Sequence, residues 1–216
     1  FLDALEEAGC AVERQGWGPR HLALRGPDDA VRAVMPLYLK GHSQGEYVFD
    51  HAWARAYEQA GGRYYPKLQG CSPFTPVTGP RLIVRPGEDA DAARRLLLGG
   101  ALTLCEQSGA SSLHVTFPTE AEWQLMGDTG LLLRQDQQYW WENDGYATFE
   151  DFLGALSSSR RKTIRRERRD ARAEVKVRAL TGPELTEAVW DAFFAFYMDT
   201  GSRKWGRPYL TRTFFS

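Results

Sequence analysis

Residues 89–117, DADAARRLLLGGALTLCEQSGASSLHVTF, decide the fold class of this chain. The first part, Asp89–Gln107, carries acids at its start and a leucine-rich face through Leu96–Leu98, Leu102 and Leu104. This is the pattern of an amphipathic helix. The second part, SSLHVTF, predicts a strand. A helix that leads into a strand is typical of α/β layer folds.

The segments on either side continue this alternation. Two apolar runs, His21–Arg25 and Ala30–Lys40, are separated by the turn sequence GPDD and predict a β-hairpin. Phe49–Gln59 places three aromatic residues four apart, which predicts a helix. Downstream we expect a helix in EAEWQLMGD, a strand or hairpin in LLLRQDQQYWWEN, and a strand in EVKVRAL. The order predicts an α/β fold of the α+β kind with a mixed sheet.

A change in organisation divides the chain into two predicted domains. Residues 1–147 contain the first series of strands and helices. Residues 148–216 begin with a weak capping box, Thr148 with Asp151, and continue with a basic helix and the start of a second unit. The chain starts without methionine inside one helical pattern and stops inside another. We therefore expect a fragment of a longer protein, which is inactive on its own.

The strongest charge feature is the run SSSRRKTIRRERRDAR, residues 157–172. Its part from Arg160 to Arg172 holds eight cations and two acids, a net charge of +6 in a chain whose formal net charge is −1. As a helix, the run has an apolar side and a cationic ridge, and Arg160 projects to the apolar side unless Ser157–Ser159 break the helix. The ridge indicates an anionic partner, such as phosphate groups or a nucleic acid. The alternative is a solvated surface helix.

Composition and motifs exclude several classes of protein. No apolar run approaches the roughly 20 residues that a membrane-spanning helix needs, and no secretory signal is visible. The three cysteines are scattered, without a CxxC pair or a histidine spacing typical of zinc sites, so we expect reduced thiols in the cytoplasm and no metal. The chain lacks a Walker loop, GxGxxG, HExxH and GxSxG, which are the usual hydrolase, kinase and dehydrogenase motifs.

Two segments of the first predicted domain hold candidate site residues. Asp50 and His51 stand beside aromatic residues at a predicted helix start, where Asp50 either caps the helix or faces a substrate. The loop Tyr64–Arg81 is long, rigid and rich in aromatic and hydroxyl residues. Such loops are uncommon unless they are functional, so it predicts a pocket wall, with a packed structural crossover as the alternative.

Two further features have weaker signals. The segment QYWWEN supplies Tyr139, Trp140 and Trp141 on alternating faces of a predicted strand. Core packing accounts for at least one of these rings, and a stacking platform is the alternative. Cys71 has no histidine nearby in the sequence and nothing that would activate its thiol, so we do not expect it to be a nucleophile.

Three segments together resemble one family: YVFDHAWARAYEQAGGRYYPKLQGCSPFTPVTGPRLIV, QYWWENDGYATFEDFLGALSSSRRKTIRRERR and GSRKWGRPYLTRTFF. The family is that of bacterial predicted N-acyltransferases often labelled peptidoglycan biosynthesis/recognition proteins. These are relatives of the FemAB group in the GNAT (acyl-CoA N-acyltransferase) superfamily. The resemblance spans nearly the whole chain. It implies a GNAT-like α/β fold in tandem units, of which the second is truncated here.

The resemblance also implies a chemistry. An acyl or aminoacyl group would pass from a CoA thioester or an aminoacyl-tRNA to an amine, in cell-wall peptide metabolism and without a permanently bound cofactor. A tRNA is therefore one implied partner, besides a small-molecule donor and an amine acceptor. The acyl-CoA loop of ordinary GNAT enzymes, Q/R-x-x-G-x-G/A, is not evident in the chain. Enzymes of this type work chiefly by positioning.

We assign candidate roles on this basis. Three polar residues are candidates for proton transfer: Asp50, His51 and Tyr139. Four cations of the basic run are candidates for the donor phosphates: Arg161, Lys162, Arg165 and Arg166. Six residues are expected to contact substrate: Trp53, Lys67, Phe74, Thr75, Arg81 and Trp141. The alternatives are a non-catalytic nucleic-acid-binding module and, less well supported, a peripheral membrane protein, because the apolar helix face is needed for docking to the fold.

Overall fold

The computed structural model describes residues 1–204 and 207–215. These residues form two compact units: the first is Phe1–Leu133 with Glu187–Ser216, and the second is Arg134–Thr186. The predicted domain boundary after residue 147 does not coincide with the limits of these units, and it stays a prediction. The described residues form seven α-helices and seven strands, which confirms the mixed α/β class.

The strands form two sheets in the first unit. In chain order they are β1 (Trp17–Pro19), β2 (Leu22–Arg25), β3 (Val31–Met35), β4 (Tyr38–Lys40), β5 (Lys67–Gly70), β6 (Ile83–Val84) and β7 (Leu113–Val115). The larger sheet has the order β1-β4-β5-β7, in which β5 and β7 run parallel and the other neighbours antiparallel. The smaller sheet is antiparallel, with the order β2-β3-β6. The pairing of β2 with β3 confirms the predicted hairpin.

Five helices lie in the first unit and two in the second. Those of the first unit are α1 (Leu2–Glu7), α2 (His51–Gln59), α3 (Ala90–Gln107), α4 (Glu120–Asp128) and α7 (Glu187–Ser202). Those of the second unit are α5 (Phe149–Ala155) and α6 (Ser158–Arg172). Among the described residues, no helix combines the length and the apolar character needed to cross a membrane.

The helix α3 organises the main core, as its sequence predicts. Asp89 caps the first turn by accepting a hydrogen bond from the backbone N–H of Ala92 at 3.1 Å. One face of the helix is buried against apolar residues of both sheets: Ala93, Leu97, Leu98, Ala101 and Cys105. The predicted leucine-rich face is only partly buried in the core, because Leu96 faces the solvent and is 60% exposed.

A second core lies around the indole of Trp17. Its buried members are Leu5, Cys10, Ala11, Trp17, Tyr38 and Cys71. The carboxylate of Glu6 attaches α1 to this core, since Glu6 Oε1 accepts a hydrogen bond from the Tyr38 hydroxyl at 2.9 Å and lies 2.8 Å from His21 Nε2. The C-terminal segment is attached as well, because Thr211 Oγ1 donates to the carbonyl of Ala8 at 3.0 Å.

The basic run forms α6, which is separated from α5 by a break. Leu156 adopts an extended conformation at the end of α5, and Ser157 caps α6 by accepting from the backbone N–H of Arg160. The break leaves Arg160 exposed, so the predicted conflict with the apolar side does not arise. Leu153 is fully buried in this unit, where the Phe152 ring contacts those of three other aromatic residues: Trp141, Tyr146 and Phe149.

Two strand predictions are wrong. Residues 131–143 (LLLRQDQQYWWEN) and 174–180 (EVKVRAL) have no regular secondary structure, and Val175 and Val177 are exposed. An alternating apolar pattern becomes a strand only where a neighbouring strand accepts its backbone hydrogen bonds. Within the described ranges, neither segment pairs with such a neighbour.

The packing of α3 predicts a clear contrast between two of its leucines. Replacing buried Leu98 by alanine removes methylene groups from the core, so Leu98→Ala should lower the free energy of unfolding by about 2–5 kcal/mol. The matched variant Leu96→Ala, at an exposed site, should change it by no more than about 0.5 kcal/mol. Urea denaturation measures both values. Equal losses would contradict the placement of the two faces.

Candidate functional site

The first unit buries four charged side chains beside one another, which we call the lysine cluster: Lys40, Glu46, Asp50 and Lys67. Lys40 of β4 lies directly opposite Lys67 of β5 in the antiparallel register, so the two side chains leave the same face of the sheet. Both are 0% exposed. Like charges placed opposite each other destabilise a sheet. The two carboxylates compensate this repulsion.

Lys67 lies at the centre of the lysine cluster. Its ammonium group donates to Ser43 Oγ at 2.8 Å, Glu46 Oε2 at 2.7 Å and Asp50 Oδ2 at 2.6 Å. The three contacts match the three donors of a lysine. Asp50 Oδ2 also accepts from the Tyr64 hydroxyl at 2.8 Å. All three acceptors of Lys67 come from the connection between β4 and α2, so β5 holds that connection in place.

Lys40 has a looser environment. Its Nζ lies 3.3 Å from the centroid of the Trp17 ring, 3.3 Å from the carbonyl oxygen of Gln44, and 3.8 Å from Glu46 Oε1. Burial lowers the pKa of Lys40 to about 7, although the Glu46 charge opposes this effect. A lysine whose pKa lies near neutrality is a common feature of functional sites.

The acidic groups of the cluster differ in the direction of their pKa shifts. Burial alone would raise the pKa of Asp50, but the hydrogen bond and charge of Lys67 lower it to about 2. Burial raises the pKa of Glu46 against the attraction of Lys67. Burial also raises the pKa of the neighbouring Cys71 thiol to about 12, so the thiol is protonated and not activated at neutral pH, as the sequence predicts.

An open cleft of about 370 Å³ lies in the same unit. We call it the aromatic cleft, because its lining includes four aromatic and two cationic side chains among the described residues: Tyr47, Phe74, Tyr197, Tyr209, Lys204 and Arg207. The rings of Phe74 and Tyr209 stack with centroids 4.9 Å apart and an interplanar angle of 14°. The Tyr197 hydroxyl accepts from the backbone N–H groups of Tyr209 and Leu210 at 2.8 and 3.0 Å. These contacts hold the wall together.

Trp17 and the β4–α2 connection join the lysine cluster to the aromatic cleft. The Trp17 ring contacts Lys40 and lies 5.0 Å from the Phe74 ring, centroid to centroid. Gly45 has a φ of +80°, and a Cβ there would lie 2.7 Å from a Phe74 ring atom. Tyr47 directly follows Glu46. The hydrogen bonds of Lys67 to this connection therefore also help to position Tyr47 in the cleft wall.

Two wall residues of the cleft have strained backbones. Tyr47 and Phe74 have φ values of 58° and 61°, in the left-handed region that non-glycine residues rarely adopt. Each such conformation costs on the order of 1–2 kcal/mol and persists only where the surroundings enforce it. Strain of this kind concentrates at binding and active sites.

The structure brings some of the predicted site residues together. Asp50 and Lys67 meet in the lysine cluster, and Phe74 lines the aromatic cleft, followed by half-buried Thr75. Asp50 occupies the N-cap position of α2 without a side-chain capping bond, so the capping alternative is wrong. His51 is exposed at the start of the same helix. Proton transfer by Asp50 and His51 stays a prediction.

Other predicted residues lie elsewhere. Trp53 is 65% exposed on α2, and two residues of the second unit, Tyr139 and Trp141, are 87% and 68% exposed. Arg81 is buried, and its guanidinium donates to four backbone carbonyls of the surrounding loops: Val77, Gly79, Pro80 and Thr116. Arg81 thus closes the Tyr64–Arg81 loop.

The four predicted phosphate-binding cations all lie on α6. Arg161 is half-buried and donates to the carbonyl of Leu156 at 3.1 Å, while Arg165 pairs with Glu150. Lys162 and Arg166 are exposed. The cationic ridge is therefore confirmed as a surface feature of the second unit, and its ligand stays a prediction.

Several residues of the lysine cluster and the aromatic cleft are not among the site residues predicted from the sequence. Lys40 and Glu46 were missed, although a lysine at the end of the apolar run before Gly41 was a usable signal. Five of the six named cleft residues were also missed: Tyr47, Tyr197, Lys204, Arg207 and Tyr209. Among the described residues, no group of three or more His, Cys, Asp or Glu side chains is arranged to hold a metal ion.

The whole chain matches one family model. The model is FemAB_like, whose description is peptidoglycan biosynthesis/recognition, and the match covers residues 1–216. The chain belongs to the FemAB-like family. The resemblance of the three quoted segments to the peptidoglycan biosynthesis/recognition family is therefore confirmed, and its link to the GNAT superfamily stays a prediction. The chain matches no curated protein and no solved structure.

The lysine cluster predicts that loss of Lys67 is costly for this FemAB-like protein. Lys67→Met leaves Asp50 and Glu46 buried without their main counter-charge, so the free energy of unfolding should fall by about 3–5 kcal/mol. The exposed control Lys176→Met should stay within about 0.5 kcal/mol of the wild type. Adding Asp50→Asn to Lys67→Met should recover part of the loss in a double-mutant cycle. Additive losses would contradict the direct pairing.

Lys40 predicts a pH-dependent contribution to stability. Its folded pKa, about 7, lies below the unfolded value, so between pH 7 and 9 the unfolded chain binds more protons at this site. The stability of the wild type relative to Lys40→Met should therefore rise with pH across this window. Denaturation of both proteins at several pH values, with Lys176→Met as control, measures the difference. Parallel curves for the wild type and Lys40→Met would contradict the lowered pKa of the buried Lys40 amine.

Proposed function

We propose that this protein serves in the transfer of an acyl or aminoacyl group from an activated donor to an amine of a peptidoglycan precursor peptide. The observation that carries the proposal is the FemAB-like match over all 216 residues. The GNAT-like fold and the tandem units 1–147 and 148–216 are part of the same proposal. The parallel strands β5 and β7, which α3 connects, support an α/β unit of that kind.

An aminoacyl-tRNA is the donor that we favour, and an acyl-CoA is the second candidate. The chain does not contain an evident Q/R-x-x-G-x-G/A loop, which ordinary CoA-dependent GNAT enzymes use. In either case the neutral acceptor amine attacks the carbonyl carbon of the donor. The new C–N bond forms and the C–O bond of the ester or the C–S bond of the thioester breaks, while the nitrogen gives up one proton and the leaving oxygen or sulfur takes up one proton.

The chain's own residues would act mainly by positioning. The aromatic cleft, which is open to solvent, supplies the binding surface. Asp50 remains ionised at neutral pH, and through Lys67 it would hold the connection that carries Tyr47. Asp50, His51 and Tyr139 remain the proposed proton-transfer groups.

The remaining predicted residues keep their proposed roles. The cations of α6 would bind donor phosphates: Arg161, Lys162, Arg165 and Arg166. The substrate contacts would be Trp53, Lys67, Phe74, Thr75, Arg81 and Trp141. Family membership lends no support to a non-catalytic nucleic-acid-binding module. The reaction would take place in the cytoplasm, where both donors are made.

The proposal is tested by product formation. The longest natural form of the protein that contains this chain is incubated with a peptidoglycan stem peptide and either aminoacyl-tRNA or acyl-CoA, and mass spectrometry detects the new amide. We expect product with aminoacyl-tRNA. Because hydrogen bonds to charged groups contribute about 1.5–3 kcal/mol each, Arg161→Ala with Arg165→Ala should lower kcat/KM at least about tenfold.

The control for this assay is the charge-matched pair Arg95→Ala with Lys176→Ala, whose side chains are exposed on α3 and in residues 174–180. This pair should leave kcat/KM unchanged. No amide with either donor would refute the transferase proposal. If product forms and the α6 substitutions leave kcat/KM unchanged, only the proposed role of the cationic ridge is refuted.

A further inference from the structure

We propose that the aromatic cleft binds the adenosine–phosphate portion of the acyl donor. This inference rests on the proposed function, because CoA and the 3′ end of an aminoacyl-tRNA both carry adenosine joined to phosphate. The cleft combines the two recognition elements that such a group needs, which are flat aromatic surfaces and cations. The α6 cations, which lie in the other compact unit, carry no part of this inference.

Aromatic rings supply the surface for a base. Four of the described residues that line the cleft are aromatic, and the Phe74–Tyr209 stack fixes the planes of two of their rings within 14° of each other. Nucleobases stack on aromatic side chains irrespective of sequence, and each stacked base contributes substantially to affinity. The strained backbones of Tyr47 and Phe74 hold two of these rings at the cleft.

Two cations supply the contacts for phosphate. Lys204 and Arg207 line the cleft and are exposed, and within the described part of the chain neither side chain makes a hydrogen bond or an ion pair. Among the described residues that line the cleft, none carries a carboxylate. Arginine binds phosphate oxygens bidentately, whereas lysine acts as a point charge.

The C-terminal end of α7 also borders the cleft, through Thr200 and Gly201. A helix C-terminus carries a partial negative charge of roughly half an elementary charge. The two full positive charges of Lys204 and Arg207 outweigh it, so the net field at the cleft favours an anion.

The size of the cleft fits a mononucleotide-like group better than a whole polymer. Its volume of about 370 Å³ lies near the lower end of the roughly 300–1,000 Å³ that small-molecule sites occupy. The cleft is open to solvent, so the rest of a longer donor can continue outside it. The carboxylates of an acidic peptide would pair with the two cations, but such a peptide has no flat group that stacks on the aromatic rings.

Equilibrium binding tests the inference without any need for turnover. Isothermal titration calorimetry is performed with AMP, ribose 5-phosphate, CoA and the trinucleotide CCA. AMP should bind more tightly than ribose 5-phosphate by about 5- to 150-fold, because the base stacks on the rings. Lys204→Ala with Arg207→Ala should weaken AMP binding at least about tenfold. Arg95→Ala with Lys176→Ala, the control pair, should not.

The other two ligands distinguish the source of the adenosine. Tighter binding of CoA than of AMP identifies the thioester donor, and tighter binding of CCA identifies the tRNA end. Equal affinity for AMP and ribose 5-phosphate would overturn the inference, as would failure of all four ligands to bind. An AMP affinity that the Lys204/Arg207 variant retains, with its fold intact by circular dichroism, would also overturn it.

The outcomes separate this inference from the transferase proposal. If AMP binds as expected and no donor yields an amide, the cleft assignment stands and the proposed reaction fails. If an amide forms while the Lys204/Arg207 variant keeps the wild-type KM for the donor, the reaction stands and the cleft assignment fails.

Discussion

The ammonium group of Lys67 is the constraint on which the rest of the candidate site depends. It donates three hydrogen bonds to residues that follow β4 in sequence, and each donor has its own acceptor. A buried ion pair of this kind adds little net stability compared with an apolar replacement of the same shape, because desolvation offsets the Coulomb attraction. Its main effect here is geometric. It selects one conformation for a connection that has no regular structure between Lys40 and His51.

That conformation determines which side chains reach the cleft. Glu46 is held by Lys67, and the next residue, Tyr47, lines the aromatic cleft with a left-handed backbone. Gly45 has no Cβ, which leaves room for the Phe74 ring. The Trp17 ring contacts both Phe74 of the cleft wall and Lys40 of the lysine cluster. Buried charge and exposed aromatic surface are therefore parts of one arrangement. A change in the charge of Lys40 would act on the same connection, because Glu46 faces both lysines.

The sequence predicted the elements that local chemistry determines. The helix α3 has a capping aspartate and apolar periodicity, and the β2–β3 hairpin has a turn signal between apolar runs. The prediction of a strand in EVKVRAL is wrong, because alternating apolar and polar residues do not ensure that a neighbouring strand is present to pair with. The lysine cluster could not be predicted for a related reason. Lys40 and Lys67 are 27 positions apart, and only the register of β4 against β5 places them opposite each other.

The cleft illustrates the same limit over a longer distance. Tyr47 and Phe74 come from two loops, whereas Lys204 and Arg207 come from the end of the chain, more than a hundred residues later. No local pattern joins these positions, and it is the buried contacts of the C-terminal segment, including the bond from Thr211 to Ala8, that bring the last residues back to the first core. The basic run of α6 could be predicted because its charges are close together in the sequence. Lys204 and Arg207, by contrast, lie beside aromatic rings only in the folded chain, where they line a cleft with room for a ligand.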